Sequence, residues 1–285
     1  MNLHGFPRKL FLKIFRHINL GDILIRHHWV GAFIRLHSFK HKGYWWHGKN
    51  REKSTILAFH DVIPRHNGGV VIEIGGHIGY FSLIFSDLVG SNGRVFVFEP
   101  GSNNIPYIRR NTANNETIIL IEKAVSDREG EVEFYEEDLT GQNNSLLSDY
   151  EIFDDNLLNA GVKGFQRKVK VISTTTLDSF WAEQGFPNVD FIKVDVEGAE
   201  EQVLRGGVNL ISSSKPNLMV EVTRNKELIF KQMQNMSYYM CKPEGQPIEK
   251  DTQMDGNVFF FPSIDARDEF VAKRNIVDPT FQTIV

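Results

Sequence analysis

A single cysteine, Cys241, stands among 285 residues. No intrachain disulfide can form, and the chain suits a reducing compartment. No run approaches the roughly 18 apolar residues of a membrane-spanning helix. The opening stretch, MNLHGFPRKLFLKIFRHINLG, has its apolar positions broken by Lys9, Lys13, Arg16 and His17. That leaves no continuous apolar segment for a secretory signal. Internal repeats and low-complexity tracts are missing too, which excludes solenoids and compositionally biased linkers. Nor is there a G-x-G-x-x-G. Counted from Gly75 that register lands on His77 and Tyr80, and from Gly76 on Ile78 and Phe81. A nicotinamide-dependent oxidoreductase, the nearest rival for a sheet of this kind, lacks its fingerprint here.

What is present is a globular composition, 41% hydrophobic with a net charge of −4. It provides ample apolar material for a core. The organisation read from it is a basic helical N-terminal extension, residues 1–50, before one catalytic domain, residues 51–285. Residues 1–42 hold eight Lys and Arg against one acid, Asp22. Leu10, Phe11, Ile14, Phe15 and Ile18 recur at helical spacing with Lys13, Arg16 and His17 between them. Ile23, Leu24, Trp29, Val30, Phe33 and Ile34 read as a continuation of helix to about Lys42. A helical cap on the main domain is the favoured reading. Peripheral membrane contact through residues 1–42 of an otherwise cytoplasmic chain is the alternative. No aromatic–basic RNA motif accompanies these charges, so a nucleic-acid partner is not expected.

From Val70 apolar strands alternate with helices. VVIEI, GRVFVFEP, TIILIEKAV, VDFIKVDVEG and PNLMVEVT read as strands; GYFSLIFSDLVG, NNIPYIRRNTANN and AEEQVLRGG read as helices. The alternation predicts an α/β fold with a doubly wound, mostly parallel sheet. GEVEFYEED and RKVKVIS read as an inserted hairpin with a long polar loop between them, and YYMCKPEG and NVFFFP as a closing antiparallel pair.

In such a sheet the ligand lies beyond the carboxyl ends of the strands. The first strand therefore aims Glu73 to Gly79 at it. The spacing acid-x-Gly-x-x-x-Gly, from Glu73 through Gly75 to Gly79, resembles the first motif of class I S-adenosylmethionine methyltransferases, with His77 in the middle. Glu99, which ends VFVFEP, stands where an acid accepts hydrogen bonds from two ribose hydroxyls. Such charge-assisted bonds contribute roughly 1.5–3 kcal/mol each. Ser126 and Asp127, past the third strand, are placed to read an adenine edge. In DFIKVDVEGAE, Asp195 follows a buried strand directly. It reads either as a helix N-cap with Glu197 and Glu200 in the first turn, or as a carboxylate facing the reaction cleft.

VVIEIGGHIGYFSL, VFVFEP, AVSDREG, TTTLDSF, DFIKVDVEGAEEQVLRGG and LMVEVT occur in one order over residues 70–223. Together they resemble the FkbM family of S-adenosylmethionine-dependent methyltransferases. Glu73 replaces a common Asp, and Gly76-His77 a common Ala-Asn. The resemblance implies a Rossmann-like class I fold and methyl transfer, usually to oxygen, on a sugar, glycan, lipid or polyketide-type acceptor. The candidate donor-binding set is Glu73, Gly75, Gly76, His77, Gly79, Tyr80, Glu99, Pro100, Ser126, Asp127 and Asp195. The candidate catalytic set is Asp195, Glu197 and Glu221, with Asp195 first as general base and His77 as a further base candidate. Asp195, Glu221 and Asn225 also offer oxygen ligands for Mg2+. Acceptor selection is expected from the insertion around Asn143, Asn144 and Ser145 and from the N-terminal segment, where Trp45 and Trp46 either stack on a sugar or pack in the core. A protein that binds S-adenosylmethionine without catalysis is the third reading.

Overall fold

The computed structural model describes residues 20–65, 68–137, 141, 144–147 and 167–277. The basic helix read over Leu10 to Ile18, and Asn143, lie outside these residues.

The segment Ile23 to Ile34 is not helical, as its spacing suggested. Asp22–Arg26 (β1) and Phe33–His37 (β2) pair as an antiparallel hairpin, with Ile25 opposite Ile34. The stretch is rich in β-branched and aromatic residues and its burial alternates. Ile34 and Leu36 are fully buried while Phe33 and Arg35 face out. Over five residues a period of two and a period of 3.6 share most positions, and packing decides. Lys42–His47 (α1) and Lys53–Val62 (α2) follow. Ile34, Leu36 and Tyr44 belong to the same apolar cluster as Val71, Ile78 and Tyr80.

From Val70 the expected alternation holds. Val70–Ile74 (β3), Tyr80–Val89 (α3), Arg94–Phe98 (β4), Ile105–Thr112 (α4) and Ile118–Ile121 (β5) build the first half. Pro106 sits in the first turn of α4, where a missing N–H costs nothing. Ala124–Val125 (β6), Gly130–Glu137 (β7) and Arg167–Thr175 (β8) form a separate three-stranded sheet, with β7 antiparallel to β8. The second half is Leu177–Glu183 (α5), Phe191–Val194 (β9), Glu200–Arg205 (α6), Val208–Ser214 (α7), Asn217–Val222 (β10) and Lys226–Asn235 (α8). Tyr239–Cys241 (β11), Pro247–Ile248 (β12), Gly256–Phe261 (β13) and Ile264–Val277 (α9) close the chain.

The central sheet runs β12-β11-β13-β10-β9-β3-β4-β5. β10, β9, β3, β4 and β5 are parallel, and β13 is antiparallel to both of its neighbours. This is a doubly wound Rossmann-like sheet with a closing antiparallel strand. Alternate residues of each strand feed two cores. Ile72, Ile74, Ile192 and Val220 pack against α5 to α8, while Val71, Val97, Phe191 and Met219 pack against α2, α3 and α9. The chain winds outward from β3 to β5 and then returns to the other side of β3 with β9. That reversal opens a crevice beyond the carboxyl ends of β3 and β9. No helix among the described residues is long and apolar enough to cross a membrane.

Candidate active site

Two strand ends meet at the reversal. The amides of Gly75 and Gly76 both donate to the Phe98 carbonyl, at 3.0 and 3.1 Å, which bends the chain tightly off β3. Gly75 has φ +90, and a Cβ there would lie 1.9 Å from the Asp195 backbone oxygen. Only glycine lets the two turns approach so closely. His77 and Glu197 are also held left-handed, at φ 48 and φ 55. That conformation costs a non-glycine residue about 1–3 kcal/mol and concentrates at functional sites. Both residues line the same cavity, of about 230 Å3.

Glu99 turns into this cavity from the end of β4. Its side chain accepts the His77 amide at 2.7 Å, the Gly101 amide at 2.8 Å and Asn104 Nδ2 at 3.3 Å. Burial pushes its carboxyl up to about 7, against those hydrogen bonds. Beside it, Ala124, Val125, Phe134 and Leu146 form an apolar flank.

The acidic centre is set by Lys193, a lysine only 1% exposed on β9. Its ammonium donates to the Gly75 carbonyl and to Asp195 Oδ2, both at 3.0 Å, and lies 3.9 Å from Glu73 Oε1. Burial alone would lower the Lys193 pKa; the Asp195 and Glu73 carboxylates outweigh it and raise it. Asp195 and Glu221, at the ends of adjacent strands, are hydrogen-bonded to one another. The Asp195 charge and then burial drive the Glu221 carboxyl far up. Burial pushes Asp195 upward as well, but Lys193 and the bond from Glu221 hold it below the usual carboxylate range. The two carboxyls thus shift in opposite directions, as a close carboxyl pair beside one ammonium should. Oxygens of Asp195, Glu197 and Glu221 fall within 4.8 Å of one another.

The N-terminal segment supplies a wall. Tyr44, Arg51 and Glu52 line the cavity, and the Tyr44 hydroxyl bonds His77 Nδ1 at 2.9 Å. The root of the insertion supplies another. Ser102 bonds Glu136 through both its amide and its hydroxyl, and Asn103 Nδ2 donates to the Glu137 carbonyl at 2.7 Å. Asn144 Nδ2 donates to Asn103 Oδ1 at 2.8 Å, and Ser145 Oγ donates to the Glu197 carbonyl at 2.7 Å.

Of the residues singled out in the sequence, Gly75, Gly76, His77, Tyr80, Glu99, Pro100, Asp195, Glu197 and Glu221 come together around the cavity. Glu73 lies beneath the turn instead, bonded to the Ser82 hydroxyl and facing Lys193. Gly79 is set back against Ile108 and Thr112. Ser126 is buried outside the cavity, and Asp127 is ion-paired with Arg205. Asp195 is not a helix N-cap: that position falls to Ala199, before α6. Nor does Glu197 stand in the first helical turn; its left-handed backbone, with Gly198 after it, delays the helix to Glu200. Asn225 occupies the N-cap position of α8 without a side-chain cap bond and does not line the cavity. Trp45 donates to the Ser38 carbonyl, and Trp46 is exposed away from the cavity. Tyr44, Arg51 and Asn257 line the cavity without having carried a sequence motif, and Lys193, inside DFIKVDVEGAE, was not singled out there.

Residues 73–245 match the methyltransferase FkbM domain. Over 158 residues the chain is 28% identical to the 2-O-methyltransferase NoeI of Sinorhizobium fredii, a match covering 51% of this chain and 60% of that protein. Among solved structures, the methyltransferase FkbM from Methylobacillus flagellatus KT overlaps 72% of this chain and 50% of its own, at 16% identity and a TM-score of 0.44. Aeropyrum pernix fibrillarin in complex with natively bound S-adenosyl-L-methionine overlaps 84% and 98%, at 12% identity and a TM-score of 0.41. This chain thus spans 60% of the length of its curated relative and half that of the first of these structures.

Proposed function

The chain belongs to the FkbM family of methyltransferases, and we propose that it moves a methyl group from S-adenosylmethionine to a hydroxyl of a sugar, a glycan or a related metabolite. The donor, when bound, supplies an activated methyl on sulfur. The residues present fit it: an acid for ribose at Glu99, an apolar flank for a base, and a glycine turn whose backbone clears an amino-acid tail. Asp195 serves as general base toward the acceptor hydroxyl, and Glu221 holds it in place through their hydrogen bond. Asp195 and Glu221, side by side at adjacent strand ends in the cavity that also holds the glycine turn and Glu99, are the observation that carries the reading. An alcohol is a weak nucleophile, and a positioned base accelerates its attack by roughly 10²–10⁴-fold. The name of NoeI, a 2-O-methyltransferase, supports oxygen as the accepting atom. The insertion around Asn144 and Ser145 selects the acceptor.

The test incubates pure protein with S-adenosylmethionine and panels of sugars, glycolipids and small hydroxylated metabolites. The expected result is release of S-adenosylhomocysteine together with a product heavier by one methylene. A thermal shift with NAD and none with S-adenosylmethionine would overturn the reading. Mg2+ on Asp195, Glu197 and Glu221 is a second arrangement of the same oxygens. Activity that survives EDTA is expected where Asp195 acts as the base alone; loss with EDTA that Mg2+ restores would favour the metal.

Glu99 makes donor affinity pH-dependent. Ribose hydroxyls bond best to the ionised carboxylate, and burial holds the free carboxyl near about 7. Binding therefore releases a proton at low pH. Calorimetry is expected to show S-adenosylhomocysteine affinity rising up to about tenfold from roughly pH 6 to pH 8 and then levelling. Glu99→Gln should bind more weakly with a flat profile; an unchanged slope in that variant would reject the assignment.

A further inference from the structure

Among the described residues two cations of the cavity wall, Arg51 and Lys123, have no carboxylate within ion-pair distance, and Arg51 is the one fixed against a ring. Among those residues the buried Nε of Arg51 has no hydrogen-bond partner. The Tyr80 hydroxyl, on a side chain 2% exposed, lacks a partner as well. Both residues line the cavity. The guanidinium is nonetheless held in place. Its Cζ lies 4.3 Å over the Tyr44 ring, and Nη1 takes space that a Cβ at Gly43 would invade, at 2.7 Å. Tyr44 in turn bonds His77 and packs 4.8 Å from the Tyr80 ring. A positioned guanidinium and a buried phenol O–H, both without acceptors, form a site for an oxyanion.

The other cations of the wall are engaged or placed elsewhere. Lys193 is spent on Gly75 and Asp195, and Lys123 lies exposed past β5, on the Glu99 side. Glu52, next to Arg51, accepts from Asn257 Nδ2 at 3.1 Å, and Asn257 stands opposite Glu221 in the pairing of β10 with β13. Arg51 and the acidic cluster thus share one edge of the cavity. That is the charge pattern of a zwitterionic α-amino acid, and the methionine portion of the proposed donor is one.

We infer that Arg51, with the Tyr80 hydroxyl, binds the α-carboxylate of the donor's methionine portion. The inference rests on the donor reading above. Calorimetry on the full chain would compare S-adenosylmethionine, its decarboxylated analogue and 5′-methylthioadenosine, which has no amino acid at all. The wild type is expected to prefer S-adenosylmethionine over the decarboxylated form by about tenfold or more. Arg51→Gln should erase that preference and leave methylthioadenosine affinity unchanged, which also reports a folded site. Tyr80→Phe, which changes no charge, should shrink the preference severalfold. A preference that survives Arg51→Gln, or equal wild-type affinity for the two forms, would overturn the inference. So would an Arg51→Gln variant whose only change is a raised KM for the acceptor. Should the wild type bind none of the three compounds, the donor reading itself falls.

Discussion

Asp195→Asn is expected to lower kcat by roughly 10²–10⁴-fold, the worth of a positioned general base. The amide still accepts from Lys193 but cannot take a proton from the acceptor. S-adenosylhomocysteine affinity should move only a fewfold, because the glycine turn and Glu99 are untouched. Glu221→Gln should cost less, since Gln still donates to Asp195 while leaving it ionised. Single-turnover rates separate these effects from product release. Full kcat in Asp195→Asn would remove Asp195 as the base. A larger loss in Glu221→Gln than in Asp195→Asn would exchange the two roles.

Lys193→Met is expected to destabilise the fold by about 3–5 kcal/mol, the usual cost of leaving a buried charge without its partner. Lys193 is the only cation within ion-pair distance of Glu73 or Asp195 among the described residues. Glu73 is itself fully buried, and burial already pushes its carboxyl up to about 7 despite that lysine. Urea denaturation should show a lower midpoint with an unchanged slope. Adding Glu73→Gln to Lys193→Met should recover part of the loss, because the stranded charge is then gone. Simple additivity of the two substitutions would refute the coupling.

The parallel strands and the helices α3, α4 and α6 were legible because they rest on local periodicity, whereas α2, α5, α7, α8 and α9 carried no reading. VVIEI and FIKV are short, mostly apolar runs of strand length, and a glycine follows α3 and α6 directly, at Gly90 and Gly206. Glu73 shows why the site was less so. Its motif position reads as a ligand contact, yet β3 and β9 pair in a register that sets Glu73 directly opposite Lys193. No local rule connects two residues so far apart in the chain. Tyr44 and Arg51 have the same character, since their role depends on where α1 docks against His77. The hairpin from Asp22 to His37 was missed for the opposite reason: too few residues to tell two periods apart. Asp195 and Glu221 were found because strand ends are readable, but how each shifts the other's titration depends on their side chains meeting in the fold.

The bonds at the root of the insertion have a consequence for engineering. They run from the residues just after Glu99 to the carbonyl of Glu197, so the same segment braces the half of the crevice assigned to the donor and the half assigned to the acceptor. A chimaera that exchanged this segment with a relative's to redirect the enzyme to another alcohol would alter its hold on the donor at the same time. Selectivity and donor saturation are mechanically joined here, and evolving one alone means keeping Asn103, Asn144 and Ser145 while varying what lies between them and β8.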